Sequence, residues 1–129
     1  MKKLLLLSSL AIAFTVIGVG KVTSADSEAT SGGLNASQLE KKGNMQARTV
    51  TNVGGGTWTT MSNVNGNTIS HYYHRDRKHS ATVKGANGHY NKVVRPAGQW
   101  ADASLRYVSG KNSVYWDNSP KEAVGNYSH

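Results

Sequence analysis

The densest run of chemically capable side chains in this sequence is His71-Tyr72-Tyr73-His74-Arg75-Asp76-Arg77-Lys78-His79. Arg75, Arg77 and Lys78 suit phosphate oxygens: a guanidinium grips two at once as a planar fork, and an ammonium acts as a point charge. Tyr72 or Tyr73 offers a flat face for a sugar ring and a hydroxyl to hydrogen-bond it. His74 and His79 add donors, and positive charge as the pH falls. These seven residues are the binding candidates if the target carries phosphate and sugar. The same run also suits a solvated loop between strands with structural histidines, and the residue types alone leave both open.

His71, His74 and His79 are close enough in sequence to raise the question of a metal ion. On a strand, however, His71 and His74 differ by an odd number and face opposite sides, and Asp76 is the nearby carboxylate. The sequence has no cysteine, which removes thiolate zinc sites and a cysteine nucleophile. No metal and no cofactor are expected. Catalysis finds no constellation either. Ser, His and Asp occur without the setting of a nucleophile elbow, and Glu122 has no partner carboxylate for glycosidase chemistry. Gly54-Gly55-Gly56 lacks the Lys-Ser/Thr and the helix of a phosphate loop. The sequence reads as a binding protein rather than an enzyme, and nothing in it points to nucleic acid.

The elements that must position this run are short strands. From Arg48 onward, stretches of Thr, Val, Tyr and Trp alternate with turn residues, the pattern of an all-β domain. Strands are expected over residues 49–60, with a bulge or bend at Gly54-Gly55-Gly56, and over 67–73 after a tight turn at Asn65-Gly66. Residues 80–84 and 89–95 flank Gly85-Ala86-Asn87-Gly88 as a hairpin. Residues 99–107 and 113–117 form a last pair around Ser109-Gly110. Ala101, Ala103, Leu105 and Tyr107 share one parity, opposite Asp102, Ser104 and Arg106. Trp100 shares the polar parity, which suggests that this end of the strand is buried on both faces. About six strands predict a small antiparallel sandwich or barrel with a shallow surface and a core built on Trp58, Trp100 and Trp116.

Ahead of this domain stand two segments of different texture. Met1-Lys2-Lys3 is followed by an uncharged stretch over residues 4–20 and then by small polar residues, the layout of a secretory signal peptide. Thr23-Ser24-Ala25 offers the small side chains that a signal peptidase needs, placing cleavage between Ala25 and Asp26. As a retained anchor the stretch is short: at 1.5 Å per residue it spans roughly 25 Å of a ~30 Å hydrocarbon core. Residues 26–47, rich in Ser, Thr and Gly, read as a disordered linker or propeptide, with at most a helical turn around residues 37–42. The expected layout is therefore signal peptide 1–25, linker 26–47, β-domain 48–118 and C-terminal tail 119–129. Charge follows the same division. Residues 26–47 carry Lys41 and Lys42 against Asp26, Glu28 and Glu40, whereas ten Lys and Arg face Asp76, Asp102, Asp117 and Glu122 from Arg48 onward. A basic exported domain favours anionic envelope components.

Four strings carry a family resemblance: Gly55-Gly56-Thr57-Trp58, Ser70-His71-Tyr72-Tyr73-His74, Lys78-His79-Ser80-Ala81-Thr82-Val83-Lys84, and Ala97-Gly98-Gln99-Trp100-Ala101-Asp102-Ala103-Ser104. Their order and spacing resemble the lactococcin 972 family of bacteriocins over roughly residues 54–116. The resemblance implies a secreted, unmodified antibacterial polypeptide folded as a β-sandwich of two three-stranded antiparallel sheets. It also implies binding of the wall precursor lipid II, a block of septum formation in related bacteria, and a homodimer. The membrane then enters only as the outer face where the target sits. This sequence departs from the family pattern in the extra linker ahead of Gly55 and in the extension over residues 119–129. An alternative reading is an envelope-associated β-module that binds anionic polymer or glycan without killing. A membrane-permeabilising peptide would need an amphipathic cationic helix, which the sequence lacks.

Overall fold

The computed structural model describes residues 29–41 and 48–129. These contain β1 (Ser31–Leu34), α1 (Ala36–Lys41), β2 (Thr49–Val53), β3 (Gly56–Val64), β4 (Asn67–Tyr73), β5 (His79–Lys84), β6 (Tyr90–Arg95), β7 (Trp100–Arg106), β8 (Ser113–Asp117) and β9 (Gly125–Ser128). Two antiparallel sheets result, one ordered β1-β8-β5-β6-β9 and the other β2-β3-β4-β7. They pack face to face through β4 and β7 on one side and β5, β6 and β8 on the other. The all-β antiparallel sandwich is thus as expected, but the sheets have five and four strands rather than three and three.

The surplus has two sources: the expected strand over residues 49–60 splits into β2 and β3, and β1 and β9 arise outside the six expected strands. β3, β4 and β7 form one three-stranded set and β8, β5 and β6 the other, while β2, β1 and β9 extend them at their edges. Two sequence readings are corrected here. Part of the expected linker is folded: β1 pairs with β8, and Leu39 of α1 is buried in the core with Leu34 and Ala29 packed beside it. Asn35 and Gln38 exchange reciprocal bonds at the start of α1, each side chain accepting from the other's backbone N–H. The expected tail likewise supplies β9, which pairs with β6. The leader, the Ala25/Asp26 junction and residues 42–47 lie outside the described residues.

Turn chemistry sets the connections. Asn65 and Gly66 both have positive φ, 52° and 83°, which makes the expected tight turn between β3 and β4. Gly54 and Gly55, at 61° and 80°, do the same between β2 and β3, so the expected bulge is a hairpin with Val53 opposite Gly56. β7 and β8 are not a pair: β7 lies beside β4 and β8 beside β5. The chain between them crosses from one sheet to the other. Asn112 shapes that corner, its Oδ1 accepting from Val108 N at 2.6 Å and its Nδ2 donating to Arg106 O at 3.2 Å.

The core lies between the sheets and is small. Ala81, Val83, Val114, Ala101 and Ala103 are fully buried, and Trp58, Tyr72 and Trp116 supply most of its volume. The Trp58 indole donates to Ser70 Oγ at 2.9 Å, and Ser70 donates across to Tyr115 O at 3.0 Å, tying one sheet to the other. Trp100 does not join them. It is 44% exposed, because alternation points it outward with Asp102 and no further layer covers that face. Among the described residues no helix is long and apolar enough to cross a membrane.

Gly54 is a tight point of this packing. A β-carbon there would overlap the Trp116 ring and lie 2.8 Å from the Tyr72 hydroxyl, at a backbone angle that side chains disfavour. Gly54→Ala is expected to cost about 3 kcal/mol through overpacking and strain, read as a lower urea midpoint. An unchanged midpoint would show that the hairpin adapts freely.

Candidate binding face

Strand alternation divides the histidine-tyrosine-arginine run between core and surface. In β4, Thr68, Ser70 and Tyr72 point inward and are buried, while Ile69, His71 and Tyr73 point outward. Tyr72 is therefore a core residue. Its hydroxyl donates to Val53 O at 2.8 Å, and its ring packs on Trp116 at 5.2 Å between centroids. Burial pushes the phenol well above its ordinary pKa.

His74 and His79 are also internal, so the structure places these two and Tyr72 away from any ligand that stays on the surface. His74 Nδ1 accepts from the backbone N–H of Asp76 and of Arg77, each at 3.1 Å. Its Nε2 then carries the proton and donates to Gly54 O at 3.1 Å. The same carbonyl accepts from Asn118 Nδ2 at 2.8 Å. His79 spans Arg77 O and Gln99 O, at 2.8 and 2.6 Å from its two ring nitrogens. The two imidazoles thus hold the β4–β5 turn against the β2–β3 hairpin and the start of β7.

The basic residues of that turn are exposed but differ in their commitments. Arg77 donates from Nε to Asn118 O at 3.0 Å and from Nη2 to Ser119 Oγ at 2.7 Å. Lys78 Nζ donates to Glu122 O at 2.7 Å. Both fasten the segment leading to β9. Among the described residues Arg75 meets only the neighbouring Asp76, at 3.2 Å, with both side chains largely in water. Such a pair contributes little, so Arg75 can exchange Asp76 for another anion at small cost.

Burial lowers the His74 pKa below its ordinary 6.5; nearby His79 and Arg77 push the same way, while the Gly54 bond and Asp76 oppose them. A folded-state pKa below the unfolded value means that the unfolded chain binds the extra proton first. The His74 contribution to stability is therefore complete above pH 6.5 and lost as the pH falls through the folded value. The gap in urea midpoint between the wild type and His74→Gln is expected to narrow from pH 7.5 to 5.5; a widening gap contradicts the assignment.

The outer face of the β2-β3-β4-β7 sheet carries what remains accessible. Tyr73 and Trp100 are direct cross-strand neighbours, their rings 5.3 Å apart and tilted by 41°. The next facing pair along is His71 and Asp102, with Nδ1 and Oδ1 3.5 Å apart. Burial lowers the His71 pKa, Asp102 works against that shift, and Arg48 adds to it. An aromatic step beside a His–Asp pair, with Arg75 two residues beyond Tyr73, can stack on a ring and hold an anion next to it. Of the seven residues expected to bind, Tyr73 and Arg75 belong to this face. Trp100, assigned to the core from the sequence, belongs there too. Its polar parity with Asp102 was the signal for that placement.

Among the described residues no three His, Asp or Glu side chains gather where they could share a metal ion. Residues 54–116 match the family model described as Bacteriocin (Lactococcin_972). Over these residues the chain is a lactococcin 972 family domain. Its function is accordingly that of a bacteriocin in general terms. The lactococcin 972 segment contains β3 to β8 almost to their ends, hence both three-stranded sets and the Tyr73–Trp100 step. β1, α1, β2 and β9 fall outside it. Compared with curated proteins and with solved structures, the chain matches none.

Proposed function

We propose that this chain is a secreted bacteriocin that binds the wall precursor lipid II and thereby blocks septal wall synthesis in bacteria related to its producer. The observation that supports the reading is the Tyr73–Trp100 step, a large aromatic surface left in water on a small domain whose other tryptophans are buried. A solvent-exposed Trp forgoes the burial that would stabilise the fold, and aromatic residues of this kind concentrate binding energy. In this reading the step takes a sugar ring of the precursor. Arg75 releases Asp76 to grip the pyrophosphate as a fork, with the remaining donors of Arg77 and Lys78 behind it.

The protein sequesters its target and performs no reaction on it. Export belongs to the reading, because the precursor is met on the outer face of the target membrane. The experiment is a growth-inhibition assay of the purified secreted chain against related strains, with soluble lipid II added as a competitor. Inhibition relieved by lipid II supports the reading. Inhibition indifferent to it points to another envelope target, and binding to anionic wall polymer without inhibition points to the non-killing module.

A further inference from the structure

We propose that the outer face of the five-stranded sheet holds a second binding site, for an uncharged oligosaccharide, built by the strands this chain adds to its family core. A groove of about 880 Å³ runs over that face. One cross-strand row makes its floor and walls: Gly33 of β1, Tyr115 of β8, Thr82 of β5, Lys92 of β6 and Tyr127 of β9. Tyr115 and Tyr127 stand three strand spacings apart, roughly 14 Å. Two aromatic rings at that separation over a hydroxyl-and-ammonium floor suit a chain of several sugar rings, with hydroxyls on the floor and apolar ring faces on the tyrosines once the Lys84 ammonium swings off Tyr115.

Charge selects the class of ligand. Lys92 is paired with Glu122 at 2.9 Å, Lys84 sits over the Tyr115 ring at 5.2 Å, and Asp117 accepts from Ser119 N at 2.7 Å. Positive and negative groups are balanced there, unlike the basic turn after β4, so a polyanion gains nothing from this face. The walls come from outside the matched residues 54–116: β1 with the turn into α1 on one side, β9 and Glu122 on the other. Gly33 permits the close approach of β1, since a β-carbon at that position would overlap the Tyr115 ring. Without these additions the outer face of β8-β5-β6 would have no flanking strands. The inference is independent of the lipid II reading, which concerns the opposite sheet.

The test is a titration of the full secreted chain with chitotetraose, maltotetraose and tripolyphosphate, followed by calorimetry. At least one tetrasaccharide is expected to saturate, with affinity lowered roughly tenfold or more by Tyr115→Ser. Thr82→Arg provides the second variant: position 82 faces the groove, so the longer side chain obstructs the floor while the core is untouched, and circular dichroism confirms its fold. Loss of binding in Thr82→Arg supports the site. Absence of saturation by either tetrasaccharide, binding of tripolyphosphate alone, or binding that survives Thr82→Arg overturns it.

Discussion

Tyr72→Ala is expected to remove about 3–5 kcal/mol of stability, most of what a domain of this size has. The ring is fully buried at the junction of β4 with Trp116 and His79, at 5.2 and 5.7 Å between centroids. The small aliphatic side chains around it cannot close the cavity. Tyr72→Phe separates the two contributions of the side chain. It keeps the ring and deletes the hydroxyl, so Val53 O loses one of its donors while Gly54 O retains His74 and Asn118. Loss of one buried hydrogen bond costs about 1 kcal/mol. Urea unfolding followed by tryptophan fluorescence should thus order the proteins wild type, Tyr72→Phe, Tyr72→Ala. Equal losses for the two variants would mean that the hydroxyl, not the ring, holds the hairpin.

The second large effect falls on activity and leaves the fold alone. Trp100→Ala is expected to reduce growth-inhibitory potency roughly thirtyfold, the equivalent of about 2 kcal/mol for a central aromatic contact. Its stability should change by less than about 1 kcal/mol, because the ring is half in water and its aromatic neighbour is Tyr73 alone. Tyr72 and Trp100 make a deliberate contrast. They lie on adjacent strands, one register position apart, yet face opposite sides of the same sheet. Dose–response curves together with urea midpoints check the pair. A Trp100→Ala protein that is fully potent, or one that is unfolded, contradicts the placement of function on this face.

Local pattern made much of the fold legible. The expected strands over residues 67–73 and 113–117 coincide with β4 and β8, since apolar alternation ends at recognisable turn residues in both. Pairing was not legible where it depends on distant residues. Residues 99–107 and 113–117 look like a hairpin around Ser109-Gly110, but their apolar faces oppose each other across the core, which puts them in different sheets. β1 and β9 escaped notice because Ser31-Gly32-Gly33-Leu34 and Gly125-Asn126-Tyr127-Ser128 have the composition of linkers. Their partners are supplied by β8 and β6 edges that no local window contains. In the candidate site, alternation correctly set Trp100 beside Asp102, and inferring burial on both faces from that parity was the error. The burial of His74 and His79 left no trace in the sequence, because a histidine satisfied by backbone carbonyls and N–H groups needs no side-chain partner.

The most direct test of the binding-face account is co-sedimentation of the purified chain with vesicles that differ only in lipid II. The account predicts that the wild type pellets with lipid II vesicles and not with plain ones, that Trp100→Ala loses this binding while remaining folded, and that Arg75→Gln weakens it. Binding to both kinds of vesicle alike, or lipid II binding that Trp100→Ala leaves intact, would contradict it.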